Sequence, residues 1–295
     1  MKVLVFGSDG FIGRNVCKEL EENHEVIGAS REVSTNKNMV QVDLLDENSV
    51  ENALNNIRPE VVINCAGVVN SNLETDLNIK FTRNILEKSV QIGGIGRVII
   101  CGSAGEYGRV DPKNIPVNED VPLNADSGYG LSKINEERLA LEYKRKYKIG
   151  VVVLRIFNPI GKGMADKFLL MGLMRQVQEC QNGERNAIGL SRLDAMRDYI
   201  SIADVASAFR AIVEGNPSHD VYNVGTGNST TNGELLELII KNSKLEYRPK
   251  IFQTSEKPEP LVAGQADITL ISDEFGWHPT HKIEDVIREI INDKN

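Results

Sequence analysis

Short apolar runs alternate with longer stretches of helical periodicity along the first 155 residues of the chain. Five of these runs are nearly continuous in Val, Ile and Leu, which is typical of strands buried on both faces of a parallel sheet. Their sequences are KVLVFG, HEVIGAS, EVVINCAG, GRVIICGS and GVVVLRIFN. The alternation of strand and helix at this spacing predicts an α/β fold with a doubly wound parallel sheet.

A glycine-rich turn follows the first predicted strand and leads into a predicted helix. Glycines at three-residue spacing let the backbone approach a pyrophosphate, and the helix N terminus supplies free N–H groups and a partial positive charge. A strand before the turn and a helix after it favour a Rossmann-type dinucleotide site over a tight turn without a ligand. The predicted cofactor contacts in this turn are Gly7, Asp9, Gly10, Phe11, Ile12 and Gly13.

The second predicted strand ends in GASRE, where folds that prefer NAD usually have an acidic residue for the ribose 2′-hydroxyl. Ser30 and Arg31 stand there instead, and a hydroxyl beside a guanidinium suits a 2′-phosphate, so NADP is favoured and NAD stays possible. A surface arginine without a ligand is the alternative for Arg31. Asp43 ends the next apolar run, where it meets the adenine amino group or caps a helix. Further predicted cofactor contacts are Leu44, Cys65, Ala66, Gly67 and Ile156.

The pattern changes after Asn158. The stretch GKGMADKFLLMGLMRQVQECQNG has apolar residues three and four apart and predicts a helix, whereas RDYISIADV and VYNVG return to the strand pattern. We therefore predict a dinucleotide-binding domain at residues 1–158 and a smaller C-terminal substrate-binding lobe at 159–295. Residues 196–225 are expected to return to the sheet of the first domain.

Composition and charge exclude several classes of partner. A net charge of -8 argues against nucleic acid, whose phosphates are bound by clustered Lys and Arg. The sequence also lacks an uninterrupted apolar run of the roughly 20 residues that a membrane span needs. The four cysteines and four histidines lack metal-type spacing, and the N terminus lacks a signal-peptide pattern. We expect a cytoplasmic protein without a metal.

A tyrosine and a lysine lie four positions apart in SGYGLSK, residues 127–133. Residues four apart share a helix face, so the Lys133 ammonium can lower the pKa of Tyr129 from its free value of about 10. Ketone reduction needs a proton donor for the developing alkoxide and hydrogen-bond donors to that oxygen. Ser103, at the end of RVIICGS, completes such a set. The alternative is a core tyrosine, a solvated lysine and a strand-end serine without catalytic roles.

The order of the glycine turn, NCAG, GSAGEYG and YGLSK resembles that in the extended short-chain dehydrogenase/reductases that act on nucleotide sugars. The similarity covers nearly the whole chain. LRIFNPIGKGM, LSRLDAMRDYISIADVASAF and DVYNVGTGNSTTNGELLELI are most similar to the reductases of nucleotide 4-keto-6-deoxyhexoses. The resemblance implies that Ser103, Tyr129 and Lys133 are catalytic and that Tyr129 and Lys133 also contact the cofactor. The family's 4,6-dehydratases have Asp and Glu where Ala104 and Gly105 stand, so dehydration is not expected.

The resemblance also implies a nucleotide-diphosphate sugar as substrate and a homodimer formed through helices near 76–93 and 129–147. A local structural role is the alternative for Glu106, and an ion pair with Asp198 or Asp204 is the alternative for Arg197. The implied substrate contacts are Ser103, Gly105, Glu106, Asn158, Arg192, Arg197 and Lys257.

These patterns predict NAD(P)H-dependent reduction of the 4-keto group of a nucleotide-linked 4-keto-6-deoxyhexose. One alternative is a sugar 4-epimerase, which shares the Ser, Tyr and Lys and keeps NAD tightly bound. A second is a non-catalytic NADP-sensing protein, although a sensor has no need of a proton donor. The nucleotide base and the stereochemistry of the product at C4 stay open.

Overall fold

The computed structural model describes residues 1–32, 37–69, 75–255 and 263–293. The strands in these ranges are β1 (Lys2–Phe6), β2 (Glu25–Ser30), β3 (Met39–Gln41), β4 (Val61–Asn64), β5 (Arg97–Ser103), β6 (Val151–Ile156), β7 (Asn158–Ile160), β8 (Ala187–Leu190), β9 (Met196–Arg197), β10 (Tyr199–Ser201), β11 (Val221–Val224), β12 (Thr230–Thr231) and β13 (Lys250–Gln253). The α-helices are α1 (Phe11–Leu20), α2 (Glu47–Ile57), α3 (Thr75–Ile92), α4 (Gly128–Tyr147), α5 (Leu169–Gln181), α6 (Ile202–Glu214), α7 (Asn232–Asn242), α8 (Thr269–Phe275) and α9 (Ile283–Asp293).

The predicted doubly wound α/β sheet is confirmed. Seven parallel strands lie in the order β11-β6-β5-β4-β1-β2-β3. The five apolar runs of the first 155 residues are β1, β2, β4, β5 and β6, and VYNVG supplies β11. The winding reverses between β1 and β4, so a crevice opens there at the carboxyl ends of the strands, where dinucleotides bind in Rossmann-type folds.

Both faces of the sheet are covered because successive side chains of a strand point to opposite sides. Val3 and Val5 of β1 belong to the core that includes α1 and α6. Leu4 and Phe6 belong to the core on the other face, with α2, α3 and α4. The near-continuous apolar runs of the sequence follow from this double burial.

A second hydrophobic core lies in the C-terminal part of the chain and is shared by α5, α7, α9 and β8. β13 pairs with β8 in parallel. The Arg14 guanidinium of α1 joins the two parts of the protein, since it donates hydrogen bonds to the carbonyl oxygens of Lys162, at 3.3 Å, and Gly163, at 2.7 Å. In the described ranges, no helix is both long and apolar enough to span a membrane.

The start of α4 is fixed against the loop that follows β5. The Ser127 hydroxyl caps the helix by accepting a hydrogen bond from the Gly130 N–H at 3.0 Å. A Cβ at Gly130 would lie 2.4 Å from the Gly105 carbonyl oxygen, so the helix approaches that loop as closely as only glycine allows. This contact sets the first turn of α4 beside the end of β5.

Candidate active site

The three predicted catalytic residues come together where β5 ends and α4 begins. Ser103 is the last residue of β5, Tyr129 lies in the first turn of α4, and Lys133 follows one turn later. Gly105 lies close to both side chains. A Cβ at this position would lie 3.3 Å from the Ser103 hydroxyl and 3.8 Å from a Tyr129 ring carbon. Ser103 and Tyr129 are half-buried, whereas Lys133 is buried. The hydroxyl groups of Ser103 and Tyr129 therefore lie next to each other, and the Lys133 ammonium lies deeper in the protein.

The pKa of Tyr129 differs from the sequence-based expectation. Burial raises this pKa above the ordinary value of a phenol, while the charge on Lys133 and a hydrogen bond with Ser103 oppose the rise without cancelling it. The expected lowering by Lys133 is therefore real but smaller than the cost of desolvating a phenolate. Tyr129 is a phenol, not a phenolate, at neutral pH.

Lys133 has two partners inside the protein. Its Nζ donates a hydrogen bond to the Cys101 carbonyl oxygen at 3.0 Å and forms an ion pair with Glu136 Oε2 at 2.7 Å. Burial lowers the pKa of Lys133, but the charge of Glu136, with smaller contributions from Tyr129 and Cys101, raises it above the ordinary value. Glu136 was not predicted as a site residue, although its i,i+3 spacing from Lys133 permits the contact.

Glu106 has a structural role, the alternative that the sequence left open. It is fully buried, and its carboxylate accepts a hydrogen bond from the Ser103 N–H at 2.6 Å in a capping box around the 3-10 turn Ala104–Glu106. Glu106 has no exposed surface in this structure, and its contact with substrate stays a prediction. Its position holds the Ser103 backbone in place.

A cleft of about 250 Å³ lies at the carboxyl ends of β1, β2 and β4. Its walls include ten of the predicted cofactor contacts: Gly7, Asp9, Gly10, Ser30, Arg31, Asp43, Leu44, Cys65, Ala66 and Gly67. The remaining predicted contacts lie outside this wall, with Phe11, Ile12 and Gly13 in the first turn of α1, Ile156 buried at the end of β6, and Tyr129 and Lys133 on α4. Glu32, Val68 and Phe81 also line the cleft and were not predicted.

The glycine turn fits a bound dinucleotide. Gly7 has φ +72°, and a Cβ there would lie 2.6 Å from the Ala66 nitrogen. A Cβ at Gly13 would lie 2.1 Å from the Gly7 carbonyl oxygen, so the turn packs tightly on the helix. Among the described residues, no side chain caps the start of α1 at Gly10. The first N–H groups of α1 therefore remain available to a phosphate.

The end of β2 presents Ser30, Arg31 and Glu32 to the cleft. The Ser30 hydroxyl donates to the Glu32 carbonyl oxygen at 3.1 Å, so it holds the turn as well as facing the site. Arg31 is exposed, and its carbonyl oxygen accepts from Gln41. Asp43 accepts from the Leu45 N–H at 2.9 Å, whereas Asp46 caps α2. Of the two roles considered for Asp43, the helix cap is therefore wrong.

Three of the predicted substrate contacts lie at the border between the two parts of the protein. Asn158, half-buried in β7, donates from its amide to the Asp198 carbonyl oxygen at 2.9 Å. The Arg197 guanidinium donates to Asn232 Oδ1 at 3.1 Å, and Arg192 pairs with Asp194. Lys257 lies outside the described residues.

The carboxylates proposed as ion-pair partners of Arg197 serve other groups. Asp198 accepts from the backbone N–H groups of Thr226, Gly227 and Ala266, and Asp204 accepts from Thr280 and His281. Both therefore anchor loops at the C-terminal ends of the sheet.

A further groove of about 370 Å³ lies beside α5 and β8 and was not predicted. Lys167 and Arg175 give it positive charge, and Leu169 and Leu190 contribute apolar wall. The apolar residues three and four apart predict α5 itself but not the polar residues on its edge that line the groove. Over the ranges that the structure covers, no cluster of three or more His, Cys, Asp or Glu side chains could hold a metal ion.

Comparison with known proteins gives one family. Residues 3–225 match the model of the NAD dependent epimerase/dehydratase family. The chain is 27% identical to dTDP-6-deoxy-L-talose 4-dehydrogenase (NAD(P)(+)) of Kitasatospora kifunensis, with 98% of this chain and 94% of that one covered. It is 26% identical to GDP-6-deoxy-D-mannose reductase of Pseudomonas aeruginosa, with 99% and 96% covered.

Among solved structures, UDP-glucose 4-epimerase of Thermotoga maritima with UDP-glucose superposes with a TM-score of 0.86. The two sequences are 24% identical, and the match covers 99% of this chain and 98% of that one. This likeness concerns the fold, and the relatives by sequence include both oxidoreductases and 4-epimerases.

Proposed function

The chain belongs to the NAD dependent epimerase/dehydratase family, and from that premise we propose that it reduces the 4-keto group of a nucleotide-linked 4-keto-6-deoxyhexose with NADPH or NADH. The family resemblance expected from the sequence is confirmed. The observation that carries the proposal is the grouping of Ser103, Tyr129 and Lys133 at the end of β5, next to the strand ends that form the dinucleotide cleft. A dinucleotide-binding protein that only sensed NADP would have no use for this grouping.

Each residue has a role in such a reduction. The bound cofactor supplies the hydride. The phenol of Tyr129, protonated because of its burial, donates a proton to the carbonyl oxygen as that oxygen becomes an alkoxide. The Ser103 hydroxyl donates a hydrogen bond to the same oxygen and stabilises its negative charge. The Lys133 ammonium contributes positive charge and a donor to the cofactor.

The cleft also bears on the choice of cofactor. Arg31 is exposed at its wall, where its guanidinium reaches a 2′-phosphate without first breaking a buried contact. Glu32 lies beside it and is the acidic residue that a ribose 2′-hydroxyl requires. The pair accounts for NADP as the preferred cofactor with NAD as a second one, and one relative is named for both.

Dehydration is not proposed. Ala104 and Gly105 follow Ser103, and neither side chain can move a proton. Glu106, the nearest carboxyl in sequence, is sealed beneath the loop. The two acidic residues that follow the serine in the dehydratases are therefore absent from this chain, and Glu106 does not replace them.

A nucleotide-sugar 4-epimerase is the second candidate, because the superposed structure of Thermotoga maritima carries that name. An epimerase requires one tyrosine to act both as base and as acid and a cofactor that stays bound through the cycle. Ser30 and Arg31 at the wall of the cleft favour NADP, whereas an epimerase keeps NAD bound. We therefore rank reduction first.

The proposed function is tested with purified protein. We expect oxidation of NADPH when a GDP-, dTDP-, UDP- or CDP-linked 4-keto-6-deoxyhexose is added, and no cofactor carried through purification. Retained NAD together with interconversion of UDP-glucose and UDP-galactose would replace this proposal with the epimerase. The homodimer through residues 76–93 and 129–147 remains a proposal, which light scattering of the same preparation tests.

A further inference from the structure

A buried carboxylate stands directly behind the lysine of the active site. Glu136 is 1% exposed and Lys133 is 4% exposed, and their charged atoms are 2.7 Å apart. The spacing of three residues along α4 puts both side chains on the face that packs against α3 and β5. A carboxylate in such a place is costly unless it is paired and hydrogen-bonded, so its position requires an explanation.

Glu136 is held from behind by a chain of neutral groups. The Thr82 hydroxyl of α3 donates to Glu136 Oε1 at 2.7 Å, and the Asn64 amide of β4 donates to Thr82 Oγ1 at 3.0 Å. Asn64 and Thr82 are themselves buried. The carboxylate therefore has one orientation, with Oε1 toward α3 and Oε2 toward the lysine ammonium.

The charge balance around Tyr129 depends on this pair. The titratable groups that act on the phenol are Lys133 and Glu136 on α4 and Cys101 on β5. Glu106 acts on Cys101, and Cys65, which follows β4, is close enough to be affected by Lys133. The described side chains of α3 that contact this region, Asn78 and Thr82, are neutral. Lys133 is thus the cation that favours a phenolate, and Glu136, which is paired with it, acts on the phenol in the opposite direction.

We propose that Glu136 is a positioning residue for the reaction: it fixes the Lys133 ammonium beside Tyr129 and offsets its charge, so that the phenol keeps its proton, and acts as an acid, up to a higher pH than it would beside an unpaired lysine. The inference rests on the proposed function, since an acid is what ketone reduction needs from this tyrosine. A lone lysine four residues from the tyrosine would favour ionisation of the phenol. With Glu136 in place, the lysine keeps its hydrogen-bonding and cofactor roles while its effect on the phenol is reduced.

Glu136→Gln is the primary test, because it removes the charge and retains a side chain of the same shape with an oxygen for Thr82. We expect the pKa of Tyr129 to fall, because the positive charge of Lys133 then acts on the phenol without the opposing charge of Glu136. Ionisation is followed by ultraviolet difference absorbance against Tyr129→Phe, which isolates one of the seven tyrosines. The pH above which kcat for keto-sugar reduction declines should move down by the same amount. KM for the sugar should not change, since Glu136 is buried away from the cleft.

Two controls separate this role from a structural one. Glu142→Gln makes the same chemical change at an exposed position of α4 and should leave the Tyr129 titration at the wild-type pKa. Glu136→Asp keeps the charge and should restore the wild-type titration. A folded Glu136→Gln protein in which Tyr129 titrates as in the wild type would overturn the proposal, and so would an equal shift in Glu142→Gln.

A second pair of variants provides the test in case the Glu136→Gln protein does not fold. Lys133→Met leaves the carboxylate alone beside the phenol, whereas Lys133→Met/Glu136→Gln removes both charges of the buried pair, a change that folded proteins often tolerate. The proposal requires Tyr129 to titrate at a higher pH in the single variant than in the double variant. Equal titrations would refute it.

The outcome is separable from that of the proposed function. The tyrosine titration needs no substrate, so a shift in Glu136→Gln supports the positioning role even when every keto-sugar fails as a substrate. Reduction of a keto-sugar together with an unshifted titration would support the function and overturn the role of Glu136.

Discussion

A cluster of two carboxyl groups and one guanidinium beneath the active site should make the stability of the protein depend on pH. Arg155 binds Glu137 through two hydrogen bonds of 2.7 and 2.9 Å. Glu106 lies 3.9 Å from the same guanidinium and receives little of its charge. Burial, followed by the charge of Glu137, raises the pKa of Glu106 to about 8. One arginine therefore compensates one carboxylate, and the other carboxyl group stays protonated.

The sign of the effect follows from this raised pKa. In the unfolded chain Glu106 releases its proton near pH 4.5, whereas the folded protein retains it until about pH 8. Between these values the folded state binds more protons than the unfolded state, so the free energy of unfolding falls as pH rises, by up to about 1.4 kcal/mol per pH unit. Above pH 8 the loss is complete, and the largest total over the 3.5 units between these two values is about 5 kcal/mol.

Glu106→Gln should remove most of this dependence. The carboxamide matches the protonated acid in shape and still accepts from the Ser103 N–H, so the fold is kept. Urea unfolding at pH 5, 6, 7 and 8 measures the free energy of unfolding of each protein. We expect the variant to lose less stability than the wild type over this range and to be the more stable protein at pH 8.

A matched variant on the other carboxyl group gives the contrast. Glu137→Gln removes the one charge that Arg155 binds through two hydrogen bonds and should destabilise the protein at each of these pH values, because a buried arginine loses its main partner. If wild type and Glu106→Gln show the same slope of stability against pH, then Glu106 is ionised in the folded protein and the reasoning fails.

Three further predictions concern the active site and the cofactor cleft. Tyr129→Phe should leave NADPH binding nearly intact and reduce turnover by about 10²-fold or more, as expected when a positioned proton donor is lost; near-normal reduction would mean that the proton comes from elsewhere. Arg31→Ala should weaken NADPH binding about tenfold and leave NADH binding unchanged, as measured by fluorescence titration; an equal loss for both cofactors would contradict the 2′-phosphate role. Gly13→Ala should abolish NADPH binding or folding, because its Cβ would lie 2.1 Å from a backbone oxygen. The control Gly172→Ala, which has open space around its Cβ, should keep or raise the thermal midpoint of unfolding. A stable, cofactor-binding Gly13→Ala protein would refute the close packing of the turn.

The sheet and the catalytic triple could be predicted because their signals are local. Buried strands such as VVVLRI are apolar except for one residue, the glycines of the turn lie at fixed spacing, and Tyr129 and Lys133 share one helix. Each of these patterns fixes a conformation without knowledge of distant residues.

The charged groups behind the site could not be predicted in the same way. Ser132, Lys133, Glu136 and Glu137 form a polar run that is typical of a solvated helix face, yet all four are buried in α4. Their burial depends on partners from other elements, with Thr82 on α3 and Arg155 on β6. Glu106 was open to two interpretations for the same reason, since its surroundings come from residues far away in sequence.

The seventh strand of the sheet has a consequence for how the chain becomes a folded protein during synthesis. β11 pairs with β6 only after the chain has passed through α5 and β8 of the second lobe, and its Asn223 donates to the Val117 carbonyl oxygen and accepts from the Tyr107 hydroxyl. Until residue 224 has been synthesised, the six-residue strand β6 lies at the edge of the sheet with unpaired backbone groups. Such an edge can pair with strands of other chains. A fragment ending at residue 158 would retain the glycine turn, Ser103, Tyr129 and Lys133 and still be prone to aggregate. The nascent chain therefore contains Ser103, Tyr129 and Lys133 before β11 completes the sheet.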